Sequence, residues 1–166
     1  MIRVQREDFD TGAELALLNA DNHAVGGVAA FVGLVREMAG GEALTAMTLE
    51  HYPAMTEKAL ADIEAEAKRR WPLEASLIIH RHGTLEIGER IVLVATAAAH
   101  RRAAFEACQF LVDWLKTKAP FWKREETRDG HHWVDAHSAD DAQAARWEGG
   151  KAGRRPTEFP RGYSKP

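Results

Sequence analysis

Apolar and polar residues change period several times along the chain, and each change marks an element. Ile2 to Gln5 alternates and predicts a short strand, after which Thr11-Gly-Ala-Glu14 places a capping box ahead of an Ala/Leu-rich helix that stops near Asn19. Gly26 to Val35 (GGVAAFVGLV) is almost wholly apolar, with β-branched and aromatic residues, and predicts a strand covered on both faces. Beyond a Gly40-Gly41 turn, Leu44 to Tyr52 alternates as a half-exposed strand. From Met55 apolar residues recur at Ala59, Leu60, Ile63 and Ala67, a helical period that Pro72 closes. Leu77 to His82 and Arg90 to Ala98 read as two strands, with Gly83 and Gly88 in a longer hairpin-like loop between them. Ala104, Cys108, Leu111 and Leu115 line one face of a helix from about His100 to Lys118, stopped by Pro120. Phe121 to Glu126 and His132 to Ala136 follow as strands joined across Asp129-Gly130, and Ser138 with Asp141 caps a last helix ending near Trp147. Strands and helices are interspersed without a strict βαβ rhythm, which gives an α+β class.

Composition narrows the picture. At 166 residues, with 45% hydrophobic and 28% charged, the chain fits one globular domain over residues 1–147. Glu148 to Pro166, rich in Gly, Pro and basic residues and without periodicity, reads as a flexible tail. Cys108 is the sole cysteine, so no internal disulfide and no cysteine zinc site can form, and its place among apolar residues predicts a buried, inert thiol. The first nine residues mix charges, unlike a signal peptide, and no apolar run approaches the roughly 20 residues of a membrane span. The expectation is a soluble, cytoplasmic protein. A net charge of −3 speaks against a general nucleic-acid binder.

The charge is unevenly spread. His100 to Arg124 holds six Lys/Arg (101, 102, 116, 118, 123 and 124) against Glu106 and Asp113, a local +4 in an acidic chain. His100, Arg101 and Arg102 open a helix, where free backbone N–H groups and the positive dipole end favour an anion such as phosphate; a solvated basic face is the plain alternative. Lys116 lies toward the end of that helix and Lys123 on the next strand. A lysine crowded by other cations, or partly buried, loses part of its hold on its proton and can serve as acid, base or nucleophile. Arg36, at the end of the apolar strand, offers a rigid fork for phosphate or carboxylate, or else caps a sheet edge. His80 and His82 share a strand face, but no third ligand stands at metal-site spacing, and His131-His132 reads as exposed beside a turn. The sequence carries no phosphate loop, dinucleotide glycine motif or nucleophile elbow.

Five segments in order, Phe31-Val-Gly-Leu-Val-Arg36, Leu49-Glu-His-Tyr-Pro53 with Met55-Thr-Glu-Lys58, Ile79-His-Arg-His-Gly83, Ala99-His-Arg101 with Ala104-Phe-Glu-Ala107, and Leu115-Lys-Thr-Lys-Ala-Pro-Phe-Trp-Lys-Arg-Glu125, closely resemble the large, catalytic subunit of molybdopterin synthase. The likeness runs from about residue 3 to Trp147. It implies a hammerhead-like α/β mixed sheet with flanking helices and a sulfur-transfer step in molybdenum cofactor biosynthesis. A small ubiquitin-like subunit would insert a C-terminal Gly-Gly thiocarboxylate and deliver two sulfurs to cyclic pyranopterin monophosphate, opening the cyclic phosphate and making the dithiolene. The large subunits would pair as a central dimer, and no cofactor is implied.

Matched position by position, the resemblance implies that Leu34, Val35 and Arg36 line the substrate site, that His100 and Arg101 hold the phosphate with Arg36, that Lys116 and Lys123 are the catalytic lysines, and that Arg124 and Glu125 complete the wall. Two other readings stay open. One is a non-catalytic scaffold for a ubiquitin-like tail. The other is a single-stranded nucleic-acid binder with Trp114, Phe121 and Trp122 as stacking platforms.

Overall fold

The computed structural model describes residues 1–39, 42–128, 130–134 and 138–148. In chain order its elements are β1 (Ile2–Gln5), α1 (Thr11–Leu18), β2 (Gly27–Leu34), β3 (Met38–Ala39), β4 (Glu42–His51), α2 (Pro53–Arg70), β5 (Leu73–Arg81), β6 (Gly83–Glu86), β7 (Arg90–Ala98), α3 (Arg101–Lys118), β8 (Phe121–Thr127), β9 (Gly130–Val134) and α4 (Ser138–Ala145). The class is α+β, as the pattern predicts. The tail from residue 149 lies outside the described residues, as do Gly40-Gly41 and Asp135-Ala136.

Two sheets carry the fold. The first runs β1-β5-β7-β2 and is mixed, with β1 parallel to β5 and the remaining pairs antiparallel. The second is antiparallel, with β3 and β6 along one edge of β4, and β8 then β9 on the other. Both faces of the first sheet are covered. Ile78, Val92 and Val94 point to α2 and α3, meeting Leu60, Ile63, Phe110 and Leu111, while Leu77, Ile79 and Leu93 point to α1 and Phe9. Central strands covered on two sides must be apolar at consecutive positions, which accounts for the runs Leu77–Ile79 and Val92–Ala95. A smaller core of Val35, Met47, Leu49 and Leu85 fills the inner face of the second sheet.

The structure shifts several expected boundaries. Asp10, rather than Thr11, caps α1, its Oδ1 accepting the Ala13 N–H at 3.0 Å. Helix α2 begins at Pro53, whose missing N–H costs nothing in a first turn. The segment read as a hairpin loop is a strand in its own right: Gly83 and Gly88 at φ +87° and +84° let the chain leave the first sheet, add β6 to the second and return as β7. Strand β2 departs most from expectation. It is an edge strand and its predicted double cover is incomplete, with Val28, Phe31 and Leu34 exposed. The apolar run belongs to a surface that the described residues leave uncovered.

His80 on β5 is fully enclosed, its ring stacked on Phe121 at 3.7 Å and its Nδ1 beside the Arg81 carbonyl oxygen at 2.8 Å. Burial pushes it down to about 4 from an ordinary 6.5, with His51 and His82 adding to the effect. The folded state therefore disfavours the proton, so stability is full above pH 6.5 and falls as pH drops from 6.5 toward 4. The loss from this group is of order 3 kcal/mol. Urea unfolding across this range will show the slope, and His80→Leu will flatten it.

Candidate active site

The start of α3 is placed by a close backbone contact. Gly26 donates its N–H to the Ala98 carbonyl at 3.0 Å, and a Cβ at Gly26 would overlap the Ala99 carbonyl oxygen. A glycine is needed there for steric reasons alone. His100 is the N-cap residue with extended backbone and no side-chain hydrogen bond to the helix, and no acidic residue lies in the first turn. Arg102 is tied to Glu106 at 2.7 Å, whereas Arg101 is exposed and held in no ion pair among the described residues. Free N–H groups, an imidazole and an unpaired guanidinium thus face solvent together, a setting suited to an anion.

The two lysines sit at the other end of the molecule. Pro120 ends α3, and its carbonyl accepts the Thr56 hydroxyl at 3.2 Å, which ties the turn to the start of α2 and launches β8. On β8, Lys123 and Glu125 lie opposite Leu49 and Met47 of β4, on the face that carries the small core. Lys123 Nζ is 2.7 Å from Glu125 Oε1, and the Glu125 carboxylate is buried. Lys116 Nζ lies 3.6 Å from Asp140 Oδ1 of α4. Lys123 is in register with Val134 at the end of β9, while Lys116 pairs with α4. Val35 is buried against Met47 and Leu49, with the exposed Leu34 and Arg36 flanking it in sequence.

Two placements divide the expected residue set. Arg124 points to the opposite face of β8, 3.3 Å from Glu126 and 5.8 Å above the Trp133 ring, away from Lys123 and Glu125. His100 and Arg101 are separated from Lys116 by nearly the whole of α3, about 22 Å at 1.5 Å per residue. Within one chain the structure therefore places Lys123 and Glu125 on the face of the second sheet where Val35 packs, Lys116 beside α4, and His100 and Arg101 at the opposite end of α3. His132 was missed. Its Nε2 stands 3.6 Å from Glu125 Oε2, a cross-strand pairing with no signature in a His-His dipeptide beside a turn.

Cys108 is buried within α3, and burial raises its thiol to about 11, which keeps it protonated and a poor nucleophile. Among the described residues no group of three or more His, Cys, Asp or Glu is arranged to hold a metal ion, and no helix is long and apolar enough to cross a membrane.

Comparison with known proteins identifies the family. The family model described as MoaE protein matches residues 4–118. A molybdopterin synthase catalytic subunit of Pseudomonas aeruginosa is 55% identical over 147 residues, covering 89% of this chain and 98% of that protein. One from Escherichia coli is 50% identical over 146 residues, covering 88% and 97%. Among solved structures, a molybdopterin biosynthesis MoaE protein from Burkholderia ambifaria superposes with a TM-score of 0.77 at 55% identity, covering 89% of this chain and 97% of that one. Molybdopterin synthase from Staphylococcus aureus gives 0.74 at 32% identity, covering 80% and 96%. The chain belongs to the MoaE family, the family of molybdopterin synthase catalytic subunits.

Proposed function

We propose that residues 1–147 form a single catalytic domain that transfers sulfur from the C-terminal thiocarboxylate of a small ubiquitin-like subunit to cyclic pyranopterin monophosphate, and that it does so in the cytoplasm; relatives named molybdopterin synthase catalytic subunit support the reading. The observation that carries this reading is Lys123 held by the buried Glu125 on the face of the second sheet where Val35 packs, with Arg36 next to Val35 in the chain. Each delivery joins the thiocarboxylate sulfur to a pterin side-chain carbon as a C–O bond there breaks, the oxygen leaving as water or on the phosphate, and makes the tail a thioester, whose hydrolysis returns the tail carboxylate and leaves the sulfur on the pterin. Lys123, braced by Glu125, is placed to stabilise charge on the acyl oxygen or on the phosphate oxygen released as the cyclic ester opens. Lys116, half-exposed and near Asp140, is placed to move a proton. The buried, protonated Cys108 offers no thiolate, which fits sulfur that arrives from a partner.

A central dimer explains how the separated phosphate ligands can serve the same substrate. Strand β2 is a free edge with exposed Val28, Phe31 and Leu34; the α3 start adjoins its first residues and Arg36 follows its last. Two copies pairing antiparallel along β2 would bring His100 and Arg101 of one copy to Leu34, Val35 and Arg36 of the other, because an isologous contact runs the two edges in opposite directions. In this reading Arg124 supports the wall from behind rather than touching substrate. The tail beyond Glu148 is left without a role.

The competing readings fit less well. A pure binder of a ubiquitin-like tail needs no paired lysines beside an anion site. As for nucleic-acid stacking, Phe121 is already stacked on His80, and Trp114 is packed against Phe110, with Arg70 and Lys118 over its ring. Reconstitution tests the proposal: the chain mixed with a thiocarboxylated small subunit and the cyclic pterin is expected to yield dithiolene, and failure of a correctly folded mixture to do so would refute it. Arg36→Ala and Arg101→Ala are expected to raise the apparent KM for the pterin about tenfold each, as loss of a charged phosphate contact should, with a smaller change in kcat.

A further inference from the structure

We propose that His132 acts as a positioning residue which, through Glu125, sets how firmly Lys123 holds its proton; this rests on the catalytic reading of Lys123 given above. The Glu125 carboxylate is 5% exposed and divides its two oxygens between two partners. Oε1 meets Lys123 Nζ at 2.7 Å, and Oε2 faces His132 Nε2 at 3.6 Å. The three side chains share one face across the β8–β9 pair, with Glu125 in register with His132 and Lys123 two residues along. A buried carboxylate between two cations is shared between them, and one of these is an imidazole, whose charge comes and goes between pH 5 and 8.

His132 is open to solvent protons, since β9 is the edge strand and the side chain is 53% exposed. Among the described residues, the charged groups facing it from β8 are Glu125 and, diagonally, Lys123; β9 has no strand on its other side. A positive charge at position 132 competes for the same carboxylate and repels Lys123 diagonally across the strand pair, so the Lys123 ammonium is less firmly held; without that charge the carboxylate serves Lys123 alone.

Competitive acylation with acetic anhydride tests this on the protein alone, with Lys123 read by mass spectrometry relative to the exposed Lys58. His132→Arg fixes the positive charge and His132→Gln removes it. At pH 8 Lys123 is expected to react roughly threefold faster in His132→Arg than in His132→Gln, the effect of a partly screened charge at this range. In a Glu125→Gln background the difference between the substitutions at 132 should shrink, because part of the coupling runs through the carboxylate. Equal Lys123 reactivity in His132→Arg and His132→Gln overturns the proposal, as does a difference that Glu125→Gln leaves unchanged. Position 132 is on an exposed edge, so the Arg/Gln comparison decides the matter even if Glu125→Gln fails to fold. No pterin or small subunit is needed, so the result is independent of whether the chain makes dithiolene.

Discussion

Replacing Lys123 with alanine will lower dithiolene formation about 10³-fold, the upper range for loss of one fixed donor aimed at developing charge. The expectation follows from how the side chain is held. Its ammonium is only one-third exposed and is fixed by a buried carboxylate, so it meets the reacting oxygen without first being ordered. The substitution also leaves Glu125 facing His132 alone, and the protein should lose about 1–3 kcal/mol of stability, the cost of an imperfectly satisfied buried group. Thermal unfolding separates the two effects: a chain that melts cooperatively above assay temperature yet makes almost no product supports the assignment. Activity near wild type removes Lys123 from the chemistry.

Lys116→Ala should lower the rate about 100-fold, in keeping with the loss of a proton-transfer group, and should barely affect folding. Its ion pair with Asp140 is half-exposed and 3.6 Å long, so its removal should change stability by roughly 0.5 kcal/mol or less. This variant also tests the shared site. Lys116→Ala and Arg101→Ala chains, each poorly active at low pterin concentration, should partly restore activity when allowed to exchange subunits. A random mixture places one intact site in half of the dimers, so recovery of about one quarter of wild-type sites is expected. No recovery after verified exchange would place both clusters' roles within a single chain.

Local chemistry made much of this fold legible. The central strands β5 and β7 announce themselves as apolar runs because both of their faces are covered, and Pro120 ends α3 because it cannot continue the hydrogen-bond ladder. What the sequence could not show was pairing. Strand β6 is four residues long and exists because β4 offers an edge, and β2 reads as a covered strand although the described residues leave Val28, Phe31 and Leu34 exposed. At the site, charge density and helix position singled out Arg36, Arg101, Lys116 and Lys123, and strand alternation already set Arg124 on the face away from Lys123 and Glu125. The contact between His132 and Glu125 depends on register across a turn, which no local pattern encodes.

The central claim is that sulfur comes from a partner's tail while this chain supplies only cations and proton-active groups. Isotopic labelling tests it most directly: a small subunit whose thiocarboxylate carries heavy sulfur is supplied to wild type and to Cys108→Ser, and the dithiolene and the protein are both analysed by mass spectrometry. The account predicts labelled sulfur at both dithiolene positions, no label on the chain, and equal yields from the two proteins. Unlabelled product, label on Cys108 or loss of turnover in Cys108→Ser would contradict it.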